Sequence, residues 1–309
     1  MSNSQIFTIG ETIFDILIKN GQPVAGRPGG AMLNSAVSLG RLRLPVSLIS
    51  EVGLDHAGNE VCKFLGENGI GCKYLYRYSN GKTAISLAFL DENEEAQYDF
   101  YKIYPDKRLA IKFPAPGKND FLLFGSFFAI APEIRSKVSA FVNAACQKGS
   151  LIVYDPNIRN PHAHELDKLM LYIDENISMA DIVRGSMDDF KLIFQLTDPE
   201  KIYERISALG CKNLICTDAS QPVRLMTDKF NIEVPVPETH LLSTVGAGDS
   251  FNAGLLYGLF KMNLARQDLS SLKLHEWETL LEIGITFGTT VCESYDNYIS
   301  REFAAKLHN

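Results

Sequence analysis

The run Ser243-Thr244-Val245-Gly246-Ala247-Gly248-Asp249, leading into Ser250-Phe251-Asn252-Ala253-Gly254-Leu255-Leu256, holds the residue types best suited to chemistry in this chain. Two glycines flank one alanine, an acid follows at once, and an apolar stretch of helical character begins. Glycine lets backbone N–H groups turn toward a bound anion with no Cβ in the way. A helix starting there adds unpaired donors and the positive end of its dipole. Gly246, Ala247 and Gly248 therefore read as an anion hole, and Asp249 as a base that takes a proton from a hydroxyl beside the anion. The same residues also admit a plainer reading, a glycine turn in which Asp249 only caps the helix. Two other assignments fail on spacing. A dinucleotide fingerprint needs a third glycine where Phe251 stands, and Gly81-Lys82-Thr83 lacks the earlier glycine of a P-loop, with Tyr76 in its place. Asn80-Gly81 reads instead as a hairpin turn.

Such a cradle needs a rigid frame, and the apolar patterning predicts one. Residues 6–9, 46–49, 121–124, 151–154, 182–183 and 214–216 form short apolar runs of the kind buried strands carry. Between them Leu33, Ala36, Val37, Gly40 and Leu44, and again Ile134, Val138, Phe141, Val142 and Ala145, keep one helical face apolar. Alternation of this kind predicts a mostly parallel sheet covered on both faces, in one α/β domain over residues 1–309. Thr12 to Val24, and Tyr74 to Tyr101 with turns at Asn80-Gly81 and near Asp91-Glu92-Asn93, read instead as antiparallel hairpins. Ligands of open α/β sheets bind outside the carboxyl ends of strands, so a small sheet growing there would cover the site. A discontinuous β lid over about 12–28 and 73–104 is expected, and a lid excludes water.

Composition narrows the class. A chain of 309 residues, 46% hydrophobic and 22% charged, can bury a large core, and its net charge of −7 argues against nucleic acid as a partner. The N-terminal residues carry no basic and apolar leader, which predicts no signal peptide and a cytoplasmic location. The longest apolar stretch, around Phe121 to Ala131, is too short to span a membrane. Six scattered cysteines without a C-x-x-C pair predict reduced thiols, and His162-Ala163-His164 reads as a solvated loop rather than a metal site.

The run at 243–254 resembles the C-terminal signature of the ribokinase-like (PfkB) carbohydrate kinases, roughly D-T-x-G-A-G-D-x-x-x-A-G, with Ser243 at the first position. Further segments extend the likeness. Gly29-Gly30-Ala31-Met32-Leu33-Asn34-Ser35-Ala36 is similar to the family's G-G-A-P-A-N-x-A, and Gly10-Glu11-Thr12-Ile13-Phe14-Asp15 to its first strand and turn. Tyr154-Asp155-Pro156-Asn157-Ile158-Arg159 resembles the D-P-N-x-R segment of fructokinases and ketodeoxygluconate kinases, and Tyr98-Asp99-Phe100-Tyr101-Lys102 their lid strand F-x-F-Y-R. The resemblance implies a three-layer α/β/α sandwich with a small β-sheet lid. It implies that Asp15, Gly29, Gly30, Asn34, Tyr101, Asn157 and Arg159 face the sugar. Thr217, Asp218, Ala219, Gly248, Gly288 and Cys292 would then line the nucleotide, and Asp189 would help to organise magnesium.

The departures are part of the expectation. Ser186 and Asp189 stand where the family has the Asn and Glu of N-x-x-E, and Ala219 and Pro222 stand where it has the glycines of T-x-G-x-x-G. Ser243 in place of the usual Asp weighs against a monovalent cation (K+) beside the anion hole. The function implied is transfer of the γ-phosphoryl group of ATP, with Mg2+, to a primary hydroxyl of a small monosaccharide, fructose first. 2-Keto-3-deoxygluconate, ribose and a nucleoside are the alternative acceptors, and a catalytically silent sugar binder is the alternative class. Lid sheets of two copies would pair in a homodimer.

Overall fold

A computed structural model of the protein describes residues 4–90, 96–158 and 166–307. Arg159, the pair His162 and His164, and the turn expected near Asp91–Asn93 lie outside the described residues. The strands are β1 (Ile6–Ile9), β2 (Ile13–Lys19), β3 (Gln22–Gly29), β4 (Val46–Gly53), β5 (Leu75–Tyr78), β6 (Lys82–Leu90), β7 (Ala96–Ile103), β8 (Phe121–Gly125), β9 (Leu151–Asp155), β10 (Ile182–Ser186), β11 (Leu214–Asp218), β12 (Gln221–Met226) and β13 (Asn231–Val234). The helices are α1 (Ala31–Arg41), α2 (His56–Glu67), α3 (Pro132–Lys148), α4 (Leu166–Met179), α5 (Met187–Phe194), α6 (Pro199–Ala208), α7 (Ala247–Lys261), α8 (Leu274–Cys292) and α9 (Arg301–Lys306).

The large sheet runs β13-β12-β11-β10-β9-β8-β1-β4-β5. All its pairings are parallel except those of β11 with β12 and β12 with β13. Its central strands alternate between two cores, as strands covered on both faces must. Leu123 and Val153 enter one core with α1, α7 and α8, while Phe124 and Tyr154 enter the other with α3, α4, α5 and α6. Chain order reverses at β1, which has β4 on one side and β8 on the other. Ligands of such sheets bind outside the carboxyl ends of the strands, and Glu11 after β1, Asp155 at the end of β9 and Thr217 near the end of β11 lie at those ends.

The small sheet, β3-β2-β6-β7, pairs β2 with β6 in parallel and the other neighbours antiparallel. Its strands span 13–29 and 82–103, narrower than the lid bounds read from sequence. The difference is β5, which pairs in parallel with β4 as the edge of the large sheet. Asn80-Gly81 is therefore no hairpin turn. It carries the chain from one sheet to the other, with Gly81 at φ +146°.

Packing fixes the helix that opens at the cradle. An added Cβ on Gly254 would lie 2.8 Å from the Ile283 carbonyl, and one on Gly284 would lie 2.8 Å from the Phe251 ring, so α7 and α8 touch almost backbone to backbone. That close seat leaves α7 little freedom to slide. Helix α5 starts from a capping box, in which Ser186 Oγ accepts from the Asp189 amide and Asp189 accepts from the Ser186 amide.

Candidate active site

Helix α7 begins at Gly246, whose φ of +85° favours glycine. The position is crowded as well, since an added Cβ would sit 2.4 Å from the Asn297 carbonyl oxygen. The Ala247 amide donates to the Thr244 carbonyl at 3.2 Å, so that donor, expected in the anion hole, is already engaged in the turn. Gly248 follows with no Cβ over its amide. Asp249 is the third residue of the helix, where a carboxylate is favoured by the dipole, and only 6% of it is exposed.

Three parts of the chain converge on Asp249. Asn34 Nδ2 on α1 donates to Oδ2 at 2.8 Å, and Asn157 Nδ2 beyond β9 donates to Oδ1 at 3.4 Å. Ser35 Oγ donates to the Asp249 carbonyl at 2.8 Å, which ties α1 to α7 beside the acid. Asn157 holds φ +41°, a conformation asparagine tolerates better than most residues. Asn34 Oδ1 is buried without a hydrogen-bond partner, an acceptor suited to a substrate hydroxyl.

The residues expected to face a sugar come from the small sheet and the turn into α1. Asp15 Oδ1 accepts from Ser86 Oγ, and Asp15 Oδ2 lies 2.1 Å from where a Cβ of Gly29 would stand. At Gly30 φ is +120° and a Cβ would lie 2.2 Å from the Glu11 carbonyl, while the Gly30 carbonyl accepts from the Asn34 amide at 2.8 Å. These two glycines thus set the start of α1 and, through it, the aim of Asn34. Glu11 accepts from Lys102 Nζ at 2.9 Å and from Tyr104 OH. Burial and the Glu11 carboxylate push the Tyr104 phenol well above its ordinary range.

Tyr101 requires a correction. Asp15, Ser86 and Phe100 are register partners and share one face of the small sheet, whereas Tyr101 pairs with Ile85 and Phe14 on the other. Tyr101 is 56% exposed on that outer face, and Lys102 takes the inner one beside Glu11.

Of the residues expected to line a nucleotide, Thr217 is next to last in β11, and its Oγ1 accepts from an Arg184 Nη at 2.7 Å. The other Nη donates to Asp155 Oδ2 at 3.1 Å, and Asn252 Nδ2 donates to the same oxygen. Asp155 is fully buried, and that burial pushes its carboxyl up to about 6 although Arg184 pulls it down. Asp218 and Ala219 are exposed at the turn into β12, and Ala219 holds φ +45°, a left-handed conformation of the kind glycine favours. Gly288 lies behind the cradle, its Cβ position 3.2 Å from the Ala247 carbonyl, and the Cys292 carbonyl accepts from Leu242 and Ser243. Asp189 is committed to its capping box and to the Ile158 amide at 2.9 Å. Among the described residues no group of three His, Cys, Asp or Glu could hold a metal ion.

Arg184, Asp155 and Asn252 were not singled out from sequence. The signal for Arg184 was present, a charged residue inside the apolar strand Ile182-Val183-Arg184-Gly185. Asn252 lies three residues after Asp249, one turn along the same helix face.

The chain matches the pfkB family of carbohydrate kinases over residues 4–302. A probable fructokinase-5 of Arabidopsis thaliana is 28% identical over 253 residues, covering 80% of this chain and 78% of the relative. The fold is similar to that of aminoimidazole riboside kinase from Salmonella enterica, solved with aminoimidazole riboside and an ATP analog (TM-score 0.85, 19% identity, 99% of each chain). It is also similar to fructokinase from Xylella fastidiosa with bound ATP (TM-score 0.83, 21% identity, 98% of this chain and 97% of that one). A glycine turn opening a helix on a buried acid, a ribokinase-like sheet with a small second sheet and a family match over nearly the whole length agree: the chain belongs to the pfkB family and is a carbohydrate kinase.

Proposed function

We propose that the protein transfers the γ-phosphoryl group of ATP to a primary hydroxyl of a small neutral monosaccharide, with fructose the first candidate. The observation that carries the reading is Asp249, a buried carboxylate gripped by Asn34 and Asn157 in the first turn of the helix that opens at Gly246. Asp249 takes the proton of the attacking hydroxyl, and Asn34 and Asn157 hold its carboxylate in place for that transfer. A carboxylate stabilised at a helix N-terminus is a weak base, which suffices when the proton leaves late in phosphoryl transfer. The Gly248 amide, with the positive end of the α7 dipole, stabilises charge on the transferring group. Asp15, beside Gly29 and Gly30, receives sugar hydroxyls, and the small sheet keeps water out. Magnesium bound with ATP would supply positive charge against the phosphates, a role for which Mg2+ needs few protein ligands. Asp189 would reach it through water, and a K+ site is disfavoured by Ser243.

The choice of a neutral sugar rests on the cations. Lys102 is paired with Glu11 at 2.8 Å, and Arg27 donates to the Tyr295 carbonyl and faces Asp296 at 3.9 Å. Among the described residues a sugar acid would meet Lys102 and Arg27 already paired, which counts against 2-keto-3-deoxygluconate. A riboside is the second reading, favoured by the likeness to aminoimidazole riboside kinase. A cytosolic setting fits the six free thiols. Pairing of two copies through the outer face of the small sheet fits Phe89, Tyr101 and Ile103, exposed by 41%, 56% and 61%. Sedimentation that returns a monomer at micromolar concentration would contradict that pairing.

ADP release with magnesium and ATP, measured across fructose, ribose, 2-keto-3-deoxygluconate and aminoimidazole riboside, tests the substrate. Fastest turnover of fructose supports the reading, fastest turnover of the riboside moves it to nucleosides, and sugar binding without ATP binding indicates a silent relative.

A further inference from the structure

Arg184 has no part in the reaction as drawn, yet its guanidinium lies directly beneath the cradle. It is only 6% exposed, and a methyl group on Gly248 would stand 2.7 Å and 3.0 Å from its two Nη atoms. Gly248 therefore rests on the guanidinium. The Phe251 ring, 5.4 Å from its Cζ, closes another side. Taking an arginine out of water is expensive, and one buried carboxylate offsets only part of that; an apolar side chain would fill the place more cheaply. The charge is kept where three separate pieces of the site meet. Asp155 ends β9 and is joined to α7 through Asn252, Thr217 is next to last in β11 at the nucleotide segment, and Gly248 is the last residue of the anion turn.

We propose that Arg184 is a positioning residue for phosphoryl transfer, its guanidinium locking the end of the nucleotide strand at Thr217 to the anion turn at Gly248. The inference rests on the kinase reading above. A planar fork suits the task, because its two Nη atoms point in fixed directions and hold two partners at a set separation. Lysine would keep the charge but lose that separation. The buried positive charge also favours negative charge arriving at the turn, in surroundings where water cannot screen it.

The test compares wild type with Arg184→Lys and with the double variant Asp155→Asn/Arg184→Met, which removes both charges so that no unpaired carboxylate is left buried. Turnover with magnesium and ATP, sugar affinity by calorimetry without nucleotide, and the melting curve are read together. Arg184→Lys is expected to lose about tenfold in kcat and the double variant about a hundredfold, the scale of losing a preorganised donor or a tight placement. Sugar affinity should stay within about twofold, since no sugar contact has changed. A double variant with kcat near wild type would overturn the proposal, as would a loss of sugar affinity and melting temperature in step with kcat. Should wild type turn over no sugar, the kinase reading fails by itself and ATP and ADP titrations decide. A wild-type preference for ATP that the double variant loses supports the role of Arg184, and affinities unchanged between the two proteins reject it.

Discussion

Gly248→Ala probes the cradle at its tightest point. The new methyl would stand 2.7 Å and 3.0 Å from the Arg184 Nη atoms and 3.3 Å from its Cζ. Ordinary van der Waals contact of a Cβ begins at 3.4 Å, so about 0.7 Å must be found somewhere. Arg184 has little room to give it, because Thr217 at 2.7 Å and Asp155 at 3.1 Å hold its fork in place. Either those bonds stretch or the turn lifts. Overpacking of this kind costs about 1–3 kcal/mol, and a displacement near 1 Å costs about a hundredfold in rate. A thermal melt, sugar calorimetry and steady-state kinetics with ATP form the assay. The expected outcome is a melting temperature lower by several degrees, kcat lower by about a hundredfold and sugar affinity unchanged, because Asp15 and Asn34 are untouched. A variant with kcat within threefold of wild type would refute the packing of the cradle against Arg184.

Three further outcomes are expected. Asp155, with its carboxyl raised to about 6 from 3.8 by burial, holds its proton more tightly folded than unfolded, so it adds stability below about pH 4 that is lost as pH rises through 6. The stability of wild type relative to Asp155→Asn should therefore fall between pH 4 and 7, by up to about 3 kcal/mol, and a constant difference would contradict the buried, titrating acid. Ala219→Gly removes a left-handed alanine that costs about 1–2 kcal/mol and adds about 0.4–1 kcal/mol of unfolded-chain entropy, so the melting temperature should rise slightly; a clear fall would reject the assigned turn. Tyr101→Ala should leave the sugar KM within twofold, because the side chain lies on the outer face of the small sheet, and a tenfold rise would put it back at the sugar.

The frame was legible because parallel strands buried on both faces leave unbroken apolar runs, and Phe121–Phe124 and Leu151–Tyr154 could be little else. The turn at 246–249 was legible because a glycine pair followed by an acid has few other uses. Other features depended on partners far along the chain. Leu75–Tyr78 reads as a strand from its composition, but its choice of β4 over the small sheet is a pairing that no local pattern encodes. The face taken by Tyr101 depends on register with β6, and a shift of one residue exchanges the faces. Arg184 is visible in the sequence only as a charge in an apolar strand, which names no role, and Asp155, Thr217 and Gly248 become its neighbours only once β9, β10, β11 and α7 have packed. Ala219 stands where the family pattern has a glycine, and its φ of +45° lies in the left-handed region that glycine favours.

Asp249→Asn, assayed for ADP release with magnesium, ATP and fructose alongside fructose calorimetry, separates proton transfer at Asp249 from sugar binding. Fructose affinity should be unchanged and turnover lower by about a hundredfold or more, the range expected when a positioned base is removed. A variant that keeps more than about a tenth of the wild-type rate would contradict the assignment of Asp249 as the base.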